Sequence, residues 1–151
     1  MSETASLTGT LQNQIAMIQT KDEIAGVLHA YARAMRRGLA DEATALFTAD
    51  ATFETRQAWP GSEGLVLSRF EGRDAIGAYL GKTAASVRLC PSISNITVAL
   101  QGDTATSECL LISYVLGTPH SVIAEYEDTY AFEEGWRFSS RRVNLLVNPA
   151  S

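Results

Sequence analysis

Thiols are nearly absent from this 151-residue chain, which has only Cys90 and Cys109 and no C-x-x-C spacing. Two such residues exclude a disulfide framework and a cysteine zinc site. Histidine is equally scarce, at His29 and His120. The chain has no H-E-x-x-H pair, Gly-rich phosphate loop or nucleophile elbow, so no metal and no cofactor is expected. Basic residues are in deficit, 12 Lys and Arg against 17 Asp and Glu, for a net charge of −5. An acidic chain without a basic run repels phosphate backbones, and no nucleic acid partner is expected. Met1 to Gly9 carry neither a basic n-region nor an apolar h-region, and no apolar run approaches the roughly 20 residues that span a bilayer. The expectation is therefore no membrane association and a cytoplasmic location.

What the chain does have is a core. Hydrophobic residues make up 46% and charged residues 19%, a balance that suits one folded domain of this length. Leu7, Leu11, Ile15 and Ile18 recur at roughly helical spacing among Gln12, Asn13 and Gln14. They predict a short leading helix, residues 1–19, that packs on the domain or on a partner subunit. Thr20-Lys21-Asp22-Glu23 then fits a capping box that opens the main domain, residues 20–148. Behind it Ile24, Val27, Leu28, Tyr31, Ala34 and Met35 form one stripe of period 3.6, ended by Gly38.

A second helix is expected over about Asp41 to Phe47, with acidic residues at its N-terminal dipole. A strand is expected over Ala51 to Thr55, then a loop, Trp59-Pro60-Gly61-Ser62-Glu63-Gly64, punctuated by Pro and Gly. A short strand from Leu65 to Phe70 and a third helix bearing Ile76, Tyr79 and Leu80 follow. From Pro91 the period becomes two. Turns at Gly102-Asp103, Gly117-Thr118-Pro119-His120 and Glu133-Glu134-Gly135 separate long strands that end near Val147. Helices first and an antiparallel meander afterwards read as α+β.

Several segments carry a family pattern. They are Tyr31-Ala32-Arg33-Ala34-Met35-Arg36-Arg37-Gly38, Ala45-Leu46-Phe47-Thr48-Ala49-Asp50-Ala51-Thr52-Phe53 and Phe70-Glu71-Gly72-Arg73-Asp74-Ala75-Ile76. Gly102-Asp103-Thr104-Ala105, Tyr126-Glu127-Asp128 and Gly135-Trp136-Arg137-Phe138 with Arg141 complete the set. In this order the chain resembles the SnoaL-like branch of the nuclear transport factor 2-like superfamily, over about Thr20 to Leu146. The resemblance implies a cone-shaped roll, in which three helices pack on a strongly curved, mostly antiparallel sheet around one small-molecule pocket. It also implies a homodimer, with a trimer as the other assembly, formed through the convex side of the sheet. Val143 and Leu145 are the apolar residues expected to need cover there.

The superfamily includes ketosteroid isomerases, polyketide cyclases, dehydratases and members without catalytic roles, so the site must be read residue by residue. By the resemblance, Tyr31 occupies an oxyanion-binding position on the first helix and Asp128 an acidic strand position facing the pocket. A phenol and a carboxyl in an apolar cavity can together hold a developing enolate oxygen; both are also compatible with plain structural roles. The isomerases' proton-shuttling aspartate falls at Thr55, which is no base. Arg36 and Pro91 stand near positions where dehydratases carry an aspartate and a histidine. His120, after Pro119 at a hairpin mouth, is either a neutral-pH proton shuttle or a solvated turn residue.

Arg142 and Asn144 share strand parity with Phe138 and Ser140, and the resemblance implies that this face points inward and that Arg141 faces outward. An inward Arg142 needs an anion, either Asp128 or an acidic group of the substrate. Met35, Thr55, Trp59, Tyr114 and Tyr126 are further candidates to line the pocket. Two functions are therefore expected. One is a cofactor-independent lyase, isomerase or cyclase acting by acid–base chemistry on a small hydrophobic, oxygenated substrate, with Tyr31, Asp128 and His120 catalytic. The other is a noncatalytic small-molecule-binding or assembly module of the same fold.

Overall fold

The computed structural model describes residues 2–59 and 62–146, so Met1, the Pro60-Gly61 pair and the expected last residues from Val147 lie outside it. Helix α1 spans Ser2–Arg37 without interruption. The expected boundary at Thr20 is absent: its hydroxyl donates to the Ala16 carbonyl at 2.9 Å instead of capping a helix start. Such back-bonding to the preceding turn is the alternative use of the same side chain inside a helix. The leading helix and the first domain helix are thus one rod. At its other end Gly38 adopts φ 71°, and the amides of Gly38 and Leu39 return to the carbonyls of Met35 and Ala34. This double closure uses the positive φ that glycine tolerates.

Helix α2 covers Ala40–Thr44, ending before Phe47, which begins strand β1, Phe47–Ala58. Strand β2, Leu65–Glu71, returns antiparallel to it. Helix α3, Arg73–Ser86, follows Gly72. Strands β3 (Leu89–Gln101), β4 (Thr104–Val115), β5 (Ser121–Phe132) and β6 (Trp136–Leu146) form the meander. They build one six-stranded sheet of order β2-β1-β6-β5-β4-β3. The β1–β6 pairing is parallel, and every other pairing is antiparallel. The order joins the first and last strands side by side and leaves β2 and β3 as edges, so the sheet does not close. The fold class is α+β.

Period-two burial makes one face of the sheet the core. Ala105, Cys109 and Leu111 of β4 and Ala124, Tyr126 and Tyr130 of β5 are buried against Ile24, Leu28, Tyr31 and Met35 of α1 and Ile76 and Leu80 of α3. Strand β6 departs from simple alternation. Tyr130 pairs with Phe138 but Thr129 pairs with Ser140, which leaves Ser139 as a one-residue bulge. A bulge shifts parity by one. Phe138, Arg141 and Val143 therefore all point into the core. This corrects two expectations: Arg141 rather than Arg142 is turned inward, and Val143 and Leu145 do not lie on the convex side.

Candidate functional site

Between α1, α3 and the core face of the sheet lies a cavity of about 210 Å³. Helix α1 contributes Tyr31 and Met35, β1 contributes Phe53 and Thr55, and α3 contributes Tyr79, Leu80 and Thr83. The later strands add Leu89, Pro91, Leu111, Ser113, Val122, Tyr126, Val143 and Leu145. Alternation aims these side chains to one side, since Leu111 and Ser113 on β4 and Val143 and Leu145 on β6 are two residues apart. No carboxylate, imidazole, ammonium or guanidinium is among these lining residues. The polar groups at the wall are hydroxyls.

Behind Tyr31 and Tyr126 sits a charged pair. Arg141 and Asp128 are opposite one another in the β5–β6 register, and both side chains are fully removed from solvent. Arg141 Nε lies 3.1 Å from Asp128 Oδ1, and Nη2 donates to Oδ2 at 3.4 Å. The shorter approach lacks hydrogen-bond alignment, so Oδ1, Nε and Nη1 have no hydrogen-bond partner among the described residues. Rings supply part of the compensation. The guanidinium carbon lies 3.7 Å from the Tyr126 ring centroid, 4.2 Å from Tyr31 and 4.6 Å from Phe138. An arginine can stack on aromatic faces in this way without losing its charge.

Burial governs ionisation here. It pushes the Tyr31 phenol up to about 12, partly opposed by the Arg141 charge. It raises Tyr126 and Tyr130 further still. It lifts the Asp128 carboxyl to about 7, again against the pull of Arg141. Charged forms lose hydration in such a site, which is why phenols and a carboxyl all move upward. Neutral phenols at the cavity wall are hydrogen-bond donors throughout the physiological range.

The candidate residues fall into three groups. Tyr31, Met35, Thr55 and Tyr126 line the cavity. Asp128 is buried with them but is engaged by Arg141 and is not at the wall. The others are elsewhere. His120 is exposed in the β4–β5 turn, where its carbonyl accepts from the Val115 amide. Tyr114 is 63% exposed and Trp59 half exposed. Arg142 and Asn144 lie on the opposite face of the sheet, because the Ser139 bulge reverses the parity expected for them.

That opposite face has its own charge network. Arg142 approaches Glu127 at 3.3 Å and Glu54 at 3.6 Å. Glu54 also pairs with Arg56, and with Arg69 at 2.9 Å. Ser113 and Leu145 line the cavity and Arg141 backs it, although none of the three was among the expected pocket residues. The missing signal for Arg141 was the buried Asp128, which demands an inward cation directly opposite. No cluster of His, Cys, Asp and Glu that could hold a metal occurs among the described residues, and no helix is long and apolar enough to cross a membrane.

Residues 16–142 match the family described as the SnoaL-like domain. No curated protein matches the chain. Among solved structures, an NTF2-like protein with a cystatin-like fold from Novosphingobium aromaticivorans is 24% identical, with a TM-score of 0.74 over 93% of this chain and 90% of that one. A provisionally assigned scytalone dehydratase from the same organism is 20% identical, with a TM-score of 0.69 over 91% of this chain and 89% of that one. The β subunit of a provisionally assigned aromatic-ring-hydroxylating dioxygenase, also from that organism, is 12% identical, with a TM-score of 0.74 over 89% and 93% of the two chains. These likenesses establish a shared fold. The activities of those proteins are not thereby transferred.

Proposed function

The chain belongs to the SnoaL-like domain family, and on that premise we propose that its cavity binds a small, uncharged, mostly apolar ring compound bearing oxygen. The observation that carries this reading is the wall itself: aliphatic and aromatic side chains, interrupted by the hydroxyl-bearing residues Tyr31, Thr55, Tyr79, Thr83, Ser113 and Tyr126 and by no charged group. An ionised ligand would lose its hydration without gaining a counter-ion. A carbonyl, ether or phenol can instead accept from Tyr31, whose proton is firmly held. The noncatalytic binding module is the better-supported reading. Proton transfer needs a titrating group within reach of the ligand, but His120 is in an exposed turn and Asp128 is tied to Arg141.

One observation favours a second reading, a cofactor-independent lyase, isomerase or cyclase acting on an aromatic, polyketide-like or steroid-like compound. Asp128, lifted to about 7, shares the Arg141 guanidinium with the Tyr31 ring. A carboxyl poised there can exchange a proton near neutrality, while Tyr31 polarises an oxygen.

Calorimetric titration with 2-naphthol, a small oxygenated aromatic probe, separates the possibilities. Wild type is expected to bind it. Tyr31→Phe should weaken binding about fivefold to tenfold, the worth of one neutral hydrogen bond, and Ser113→Phe should abolish it by filling the cavity. Equal binding by Ser113→Phe and wild type would refute the cavity as the site. An affinity that steps near pH 7 in wild type but not in Asp128→Asn would favour the second reading.

A further inference from the structure

The first half of α1 presents an apolar stripe that its own domain does not cover. Leu7, Leu11, Ile15 and Ile18 are 66%, 58%, 54% and 66% exposed. At about 100° per residue they point about 130° away from the stripe of Ile24, Leu28, Tyr31 and Met35 that enters the core. The two stripes lie on one continuous rod, so the first cannot fold back onto the sheet that the second packs against. The segment is also short of internal support. It holds Gly9 and three threonines, and it has no charged residue between Glu3 and Lys21. Such a helix is marginal in water without a packing partner.

We propose that this half-helix pairs antiparallel with the same segment of a second copy. The stripe is nearly palindromic in spacing. A two-fold axis beside residue 13 sets Leu7 opposite Ile18 and Leu11 opposite Ile15 of the second copy, with the reciprocal contacts made at the same time. Isologous interfaces require this self-complementarity. The charges agree with it. Glu3 and Lys21 project from the same flank of the helix, and in an antiparallel pair like flanks meet. Glu3 of each copy therefore approaches Lys21 of the other, at both ends of the seam. The four side chains together expose on the order of 400 Å² of apolar surface per copy, about half of a standard one-sided interface, with flanking polar residues supplying the rest. A moderately tight dimer results.

Sedimentation equilibrium of the full chain tests this. Wild type should dimerise in the micromolar range. Leu11→Glu with Ile15→Glu should raise the dissociation constant on the order of a hundredfold or more, because four buried aliphatic side chains are lost per dimer. Lys21→Glu should weaken pairing about tenfold by placing like charges together twice. Adding Glu3→Lys to Lys21→Glu should restore it. All four positions are exposed, so an unchanged melting temperature of the domain will verify folding. A monomeric wild type at high micromolar concentration, a dimer indifferent to Leu11→Glu with Ile15→Glu, or a double charge reversal that fails to restore pairing would each overturn the proposal. Binding of monomeric wild type to phosphatidylcholine–phosphatidylglycerol vesicles through the same stripe would overturn it in favour of a lipid surface.

Discussion

The continuity of α1 through Thr20 is open to a sharp test, Lys21→Pro. If a helix began with Thr20 as its cap, Lys21 would be the first helical position, where proline is favoured because no amide bond is lost. In a continuous helix the same residue is interior. Proline there removes the Lys21 amide bond to the preceding turn and clashes with its carbonyl, at about 3 kcal/mol. The cost falls locally. Residues before the break lose their connection to the part of α1 anchored by Ile24 and Leu28, and so short a remnant is unstable alone. Residues 2–20 make up about a third of the helical positions, given helices of 36, 5 and 14 residues. Far-ultraviolet circular dichroism at low protein concentration should therefore lose about a third of its helical signal in Lys21→Pro. The domain's melting transition should stay in place, because its core does not include those residues. An unaltered helical signal would refute the continuous rod and reinstate a helix boundary at Thr20.

Three further outcomes are expected. Asp128→Leu strands the fully buried Arg141 cation and should cost about 3–5 kcal/mol in urea unfolding at neutral pH, whereas Asp128→Leu with Arg141→Leu should recover most of that loss; additive single losses would show that the two side chains are not coupled. On the opposite face, burial opposes ionisation of Glu54, but Arg56, Arg69 and Arg142 prevail and hold its carboxyl below the usual range. Its contribution is then present above the unfolded value near ~4.3 and lost as pH falls through the lower folded value, so Glu54→Gln should melt lower at pH 7 and show a flatter acid profile. Finally, because Tyr31 ionises only near about 12, the affinity advantage of wild type over Tyr31→Phe should hold constant from about pH 5.5 to 8.5, and a loss of that advantage above neutrality would remove the phenol as donor.

Much of the fold was legible because period and punctuation agree. The β5 limits expected from alternation and turns, Ser121 and Phe132, are those found. Helix ends were harder to read. Thr20 has the composition of a cap, but the residues before it, Leu7 to Ile18, are themselves spaced as a helix, and nothing between Leu11 and Thr20 breaks one. A threonine hydroxyl can satisfy a helix start or bond back to a preceding carbonyl, and only the conformation of its neighbours decides between these. Phe47 was likewise assigned to a helix, although it alternates with Thr48 and Ala51 to Phe53 only once the strand is allowed to begin before the Ala49-Asp50 pair.

The site turned on one residue. Counting back from the Glu133-Glu134-Gly135 turn without a bulge sets Asp128 opposite Ser140 and turns Arg142 inward. That arrangement leaves a buried carboxylate facing a hydroxyl and places a free guanidinium in the ligand space. With Ser139 bulged, Asp128 meets Arg141, and Arg142 reaches Glu54 and Glu127 on the opposite face. Every formal charge near the core is then paired or outside, which is the cheaper solution for buried ions. Two adjacent serines before two adjacent arginines do not by themselves announce which is the extra residue, because any of them can occupy either face. The buried acid does. Desolvation of Asp128 selects the register that supplies a cation, and that register leaves hydroxyls as the polar side-chain groups of an otherwise apolar cavity wall. The uncharged, oxygen-bearing ligand proposed for the cavity follows from this register, and deleting Ser139 tests whether it is the residue that the register leaves out. The shortened strand would pair Thr129 with Ser140 and Asp128 with Arg141 in an unbroken ladder, so Arg141 would still face inward and the variant should keep most of its stability in urea and its affinity for 2-naphthol. Loss of both would refute Ser139 as the extra residue of the strand.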